Sequence, residues 1–203
     1  SSGKVALGER NTYIQPLFPV DWIRVDWRDS DFNVNLNQFP TLPFKNDSQK
    51  LIYSAHMIEH LSQDSLSRLF EECFRILKPG LGKIRLECPD SELLVNLYHS
   101  NNDKLFQDNR QYMDWIIKAG IDCPQYEDHL SVLGEISNYI IGASTHSYGW
   151  HVPVYASKQE FDEKLSTLSF DDFCDWCISL QTPEQRESGG HQSALYFNKL
   201  SLM

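Results

Sequence analysis

His56, Glu59 and His60 stand in the order His-x-x-Glu-His within YSAHMIEHLS, residues 53–62. On an α-helix this spacing sets two imidazoles one turn apart as zinc ligands, with a carboxylate to activate water, the arrangement of one class of zinc hydrolases. That chemistry needs helix on both sides of the motif and a third ligand well downstream. Here the apolar run Leu51 to Ala55 leads straight into His56, so the first histidine sits at a strand end. No metal is expected, and Glu59 and His60 read first as hydrogen-bonding residues that steady a strand-to-helix turn. Cys174-Asp-Trp-Cys177 has the spacing of a redox pair or half a zinc site, but no second CxxC accompanies it. Within a strand over Phe173 to Leu180, residues three apart point to opposite faces, which makes the pair two core thiols. His146, Tyr148, Trp150 and His151 form a third cluster. Histidine titrates near neutrality and can deprotonate a hydroxyl or amine, so His146, His151 and His60 are the candidate bases; dense Tyr and Trp equally suit packing.

Composition narrows the setting for any such chemistry. Eighteen basic against 28 acidic side chains leave a net charge of −10, and Lys and Arg are scattered, which argues against a nucleic-acid partner. The 203 residues suffice for one domain with a sizeable core. Five cysteines, an odd number in a chain too large to need staples, suggest free thiols in a reducing, cytoplasmic compartment. No apolar run approaches the roughly 20 residues that span a bilayer, and no basic-then-apolar signal segment opens the chain, so no membrane partner is expected.

The elements that must position these groups follow from periodicity. Lys4 to Leu7 and Trp22 to Asp26 read as strands, separated by a stretch that Pro16 and Pro19 keep from being helical. Leu51 to Ala55 is a third long strand. Leu66, Leu69, Phe70, Cys73, Phe74, Ile76 and Leu77 then mark one helical face, with Ser62 as N-cap and Lys78-Pro79-Gly80 as the stop. Lys83 to Cys88 alternates again. Strand, helix and strand with short connectors predict a βαβ crossover and a parallel sheet. Two helix-like segments, Lys104 to Ala119 and Asp128 to Ile141, predict a helical insertion over about residues 91–153. Asp90 either rims the pocket or starts the next turn. A short helix after Ser157 and strands over Phe173 to Leu180 and Ser193 to Leu200 complete the predicted order.

The run LIYSAHMIEHLSQDSLSRLFEECFRILKPGLGKIRLECPD closely resembles the central part of class I S-adenosylmethionine-dependent methyltransferases, especially small ones whose fourth strand ends in His-x-x-Glu-His-Leu. KVALGER is similar to their first strand and glycine loop, WIRVD to the second strand with its acidic end, and NVNLNQFPTLPF to the stretch that follows. SKQEFDEKLSTLSFDDF and SALYFNKLSL resemble the late helix and last strand, for a coverage of about four-fifths of the chain. The resemblance implies a doubly wound α/β domain over residues 1–203, with a mostly parallel seven-stranded sheet and S-adenosyl-L-methionine as cofactor. Ligands of such sheets lie beyond the carboxyl ends of the strands, where the strand order reverses. Gly8 would then face the methionine end, Asp26 the ribose hydroxyls and Asn35 the adenine, while Ser54 and His56 would line the pocket. Arg10 stands where the family has its second glycine; its guanidinium either fills the methionine end or turns out to hold the cofactor carboxylate. Methyl transfer to a small-molecule acceptor is the implied activity. The alternative is a non-catalytic relative that uses the fold to bind a partner.

Overall fold

The computed structural model describes residues 2–8, 21–38, 41–100, 158–181, 183, 186 and 190–202. The chain forms two compact units, Ser1–Cys88 and Pro89–Leu202.

The first unit is built on a five-stranded sheet: β1 (Lys4–Leu7), β2 (Ile23–Asp26), β3 (Phe32–Asn33), β4 (Leu51–Ala55) and β5 (Lys83–Glu87). Its order is β3-β2-β1-β4-β5, and every pairing is parallel. β1 occupies the centre because Val5, Ala6 and Leu7 are apolar without interruption, as a strand covered on both faces requires; all three are at most 1% exposed. A single 3₁₀ turn, Ile58–His60, links β4 to α1 (Gln63–Ile76). Ser62 caps α1 by accepting from the Ser65 N–H, and Leu66, Leu69, Cys73 and Ile76 bury the predicted face, whereas Phe74, also expected on it, is 83% exposed. The helix ends at Leu77, whose backbone is extended, ahead of Pro79. In the turn that follows, a Cβ on Gly82 would lie 2.8 Å from Leu77 Cβ, so the chain can reach β5 this closely only with glycine there.

One ion pair fastens the approach to β4 onto α1. Arg75 Nε and Nη2 donate to the two carboxylate oxygens of Glu72 at 2.7 Å each, and its remaining donors reach the carbonyls of Phe44 (2.9 Å) and Leu42 (3.0 Å). Glu72 also accepts from the Leu42 N–H at 2.7 Å, which seals Leu42 into the core. The Arg75 hydrogen bond holds the Glu72 carboxyl below its ordinary pKa. Arg75→Met should lower the unfolding free energy by about 2–3 kcal/mol, because it strips a half-buried carboxylate of its countercharge and leaves two carbonyls without their donor. A carboxyl whose pKa is depressed on folding stabilises above its unfolded value and ceases to do so as pH falls through the folded one. Urea titrations should therefore show the wild-type advantage shrinking below the ordinary glutamate range; a difference constant down to strongly acidic pH would contradict this assignment.

The second unit contains α2 (Ser91–His99), α3 (Lys158–Thr167), α4 (Phe170–Ser179) and α5 (Phe197–Ser201). Asp90 starts α2 as its N-cap, its Oδ1 accepting from the Glu92 and Leu93 N–H groups at 3.1 Å. Leu94, Val95, Phe161, Phe173, Cys174, Cys177, Ile178 and Ala194 form the buried cluster. Within it Phe161 meets Phe173 edge to face at 5.1 Å. Tyr98 packs on Phe161 at 5.4 Å and donates its hydroxyl to Asp162 at 2.6 Å.

The expected seven-stranded sheet needs correction, since the two segments proposed as its last strands are not strands. Residues 173–180 belong mainly to α4, where Phe170, Phe173, Cys174, Cys177 and Ile178 recur at helical spacing, and Ser169 caps the helix by accepting from Asp172 N–H at 3.2 Å. Residues 193–196 belong to no strand or helix, and 197–201 form α5. The CxxC thus lies on a helix, where residues three apart share a face, and both thiols are free and buried in the same cluster. The proposed insertion begins with α2, which the sequence reading did not place; its remainder, with both helix-like segments, lies outside the described residues. No described helix is long and apolar enough to cross a membrane.

Candidate functional site

The register of the sheet assembles the site. Leu7 pairs with Val25 on one side and Ser54 on the other, so Gly8, Asp26 and Ala55 follow as a row at the carboxyl edge, with His56 next to them. β1 lies between β2 and β4 in that row. This is where the strand order turns back, the place at which open parallel sheets leave a crevice.

Each position is held for a specific reason. Gly8 has φ +80, and its N–H donates to Val25 O at 2.8 Å. A Cβ there would lie 2.6 Å from Met57 Cγ and 2.7 Å from Met57 Cβ, so the turn out of β1 demands glycine both for backbone angle and for space. Asp26 ends β2 half-buried, with Oδ1 accepting from the Trp27 N–H at 2.5 Å and its carbonyl from the Val34 N–H at 2.7 Å. Ser30 stitches the loop beyond it, accepting from Asp26 N–H at 3.1 Å and donating to Phe32 O at 2.7 Å. Ser54 is fully buried and donates to Leu7 O at 3.3 Å, so it joins the two central strands beneath the edge. Asn35 is exposed, and its Oδ1 accepts from Asn37 N–H at 3.0 Å in an Asx turn.

His56 leaves β4 with φ +48, and its N–H donates to Glu87 O at 2.9 Å. Its Nδ1 faces Glu59 Oε1 at 3.4 Å; the imidazole is 73% exposed and the carboxylate only 2%. The hydrogen bond to Glu59 raises the His56 pKa above its ordinary value, partial burial opposes this, and the charges of Glu59 and Glu87 add to it. His60 ends the 3₁₀ turn half-buried, with its carbonyl accepting from Asn37 Nδ2 at 3.3 Å. The histidines of His-x-x-Glu-His therefore do not share a helix face, which removes the zinc-hydrolase arrangement. Asn37 is a residue that sequence reasoning missed: its Oδ1 accepts from Ser62 N–H at 3.0 Å and its carbonyl from Ser65 Oγ at 3.1 Å, binding the loop after β3 to the start of α1. Nothing near it in sequence signals this role, since its partners lie more than 20 residues on. Arg10, His146 and His151 lie outside the described residues.

A parallel sheet in the order 3-2-1-4-5, with a left-handed glycine closing its central strand and an acid closing the next, is an α/β fold of the Rossmann-like type. More particularly, residues 20–84 match the family described as methyltransferase domain, a class I S-adenosylmethionine-dependent family. That segment is about a third of the chain; it runs from just before β2 into β5 and leaves Gly8 outside. No curated protein and no solved structure matches the chain.

The residues present fit S-adenosylmethionine at its nucleoside end, where a half-buried carboxylate closes β2 and a polar, exposed loop follows. Beside Gly8 the space that a Cβ would take is lined by the flexible Met57 side chain.

Proposed function

We propose that the protein is a cytoplasmic S-adenosylmethionine-dependent methyltransferase that acts on a small-molecule acceptor. The observation that carries this reading is the row of Gly8, Asp26 and His56 across the crevice between β1 and its neighbours, together with the methyltransferase-domain match over the segment that holds two of the three. Bound there, S-adenosylmethionine supplies a methyl group already activated by its sulfonium. Asp26 would accept hydrogen bonds from the ribose hydroxyls, Gly8 would let backbone run alongside the methionine end, and Asn35 would offer its amide to the adenine. The protein's remaining work is to align the acceptor and exclude water.

Calorimetric titration with S-adenosylhomocysteine tests the reading. Wild-type protein should give saturable heat, and Asp26→Ala should bind at least tenfold more weakly, since charge-assisted hydrogen bonds contribute about 1.5–3 kcal/mol. No heat from folded wild-type protein at millimolar ligand, or identical dissociation constants for both proteins, would defeat it. A second reading, a non-catalytic binding module on the same fold, is favoured by the seating of Met57 against Gly8. It requires the wild type to give no heat with either S-adenosylmethionine or S-adenosylhomocysteine.

A further inference from the structure

We infer that His56 is the general base of this site, held by Glu59 as its positioning residue, an assignment that rests on the methyltransferase reading. The first indication is backbone strain. A histidine at φ +48 sits in the left-handed region, which costs a non-glycine residue about 1–3 kcal/mol and persists only where neighbours enforce it. Here the His56 N–H is committed to Glu87 O at 2.9 Å and its Nδ1 to the Glu59 carboxylate at 3.4 Å. The strained turn leaves the imidazole largely exposed beyond the tip of β4.

The second indication is asymmetry across the ring. Glu59, 2% exposed, faces one nitrogen, while the side chain as a whole is 73% exposed. A carboxylate against Nδ1 favours the tautomer that carries the proton there, which leaves the lone pair on Nε2, the nitrogen turned away from Glu59. An acceptor hydroxyl or amine can reach that lone pair. Its O–H or N–H bond breaks, the electron pair stays on the acceptor atom as the nucleophile, and the proton forms an N–H bond at Nε2. The resulting imidazolium is met by Glu59 and, at the end of β5, by Glu87, which also pairs with Arg85 at 2.6 Å; these are the charged groups acting on it among the described residues. His60, half-buried on the 3₁₀ turn, has no comparable exposure.

Both carboxylates raise the His56 pKa, so the neutral, proton-accepting form prevails only above the ordinary histidine range. Linkage gives the same pair a signature in stability. With the folded pKa above the unfolded one, its contribution is full below the unfolded value and is lost as pH rises through the folded value.

The test is an NMR titration of the His56 ring in wild type and Glu59→Gln, with and without S-adenosylhomocysteine. The wild-type ring should titrate above the ordinary histidine value, Glu59→Gln should bring it down, and saturating S-adenosylhomocysteine should shift its resonances. His56→Asn supplies the assignment control, because asparagine accepts the left-handed backbone; the resonances ascribed to the His56 ring should be absent from its spectrum. An ordinary His56 pKa that Glu59→Gln leaves in place overturns the pair. Resonances that ignore bound S-adenosylhomocysteine overturn the base while leaving the cofactor reading intact. Absence of heat with S-adenosylhomocysteine ends the cofactor reading and the base with it, and the ligand-free titration then decides separately whether the pair exists.

Discussion

Gly8→Ala should lower the unfolding free energy by about 2–6 kcal/mol, from about 1–3 for a left-handed non-glycine backbone and about 1–3 for overpacking. The new methyl group has no accommodation, because the nearest atoms are Met57 Cγ at 2.6 Å and Met57 Cβ at 2.7 Å. A side-chain rotation moves the first and not the second. Met57→Ala in the same background should therefore recover less than Met57→Gly, and neither removes the strain of φ +80. Denaturant midpoints for the four proteins of the Gly8→Ala, Met57→Gly cycle measure the coupling between the two sites. A Gly8→Ala protein with a wild-type midpoint would show that the turn out of β1 is not built as described.

Phe173→Ala should cost about 3–5 kcal/mol, the range for deleting a fully buried aromatic ring. Phe173 is 0% exposed and packs against Phe161 at 5.1 Å and Trp176 at 5.8 Å, so truncation opens a cavity lined by rings that cannot collapse into it. The adjacent thiols provide an internal comparison. Burial pushes the Cys174 thiol up to about 12 and raises Cys177 as well, so neither ionises near neutrality. In native wild-type protein both should react slowly with a thiol reagent, and Phe173→Ala should speed them by loosening the cluster. Fast labelling of the intact wild type would remove them from the core.

Much of the sheet was legible because its signals are local. Leu51 to Ala55 forms β4 with the bounds that its apolar run marks, Ser62 caps α1, and Asp26 closes β2. The errors lie where a short apolar run was read without its flanks. Phe173 to Leu180 passes for a buried strand until Phe170 and the Ser169 to Asp172 cap extend the pattern back by one turn, and only the helical period then fits. The helix after Asp90 carried its own notice in an N-cap acid followed by Glu92 and apolar Leu94, Val95 and Leu97, but it was absorbed into a longer insertion. At the site, residue types showed which positions close the strands. They could not show that His56 would be left-handed, that Glu59 would be buried beneath it, or that Ser54 would be spent on Leu7. Those facts depend on partners brought together by the sheet, and no short window of sequence contains them.

The placement of β1 also constrains the order of events during synthesis. One of its edges can zip to β2 soon after emerging from the ribosome, whereas the other waits for β4, 47 positions later. Until then the nascent chain exposes an unsatisfied ladder edge that is apolar beyond Lys4, the kind of template on which growing polypeptides misassociate. Slowing translation between β2 and β4 should prolong that exposure and increase dependence on chaperones that shield extended hydrophobic segments.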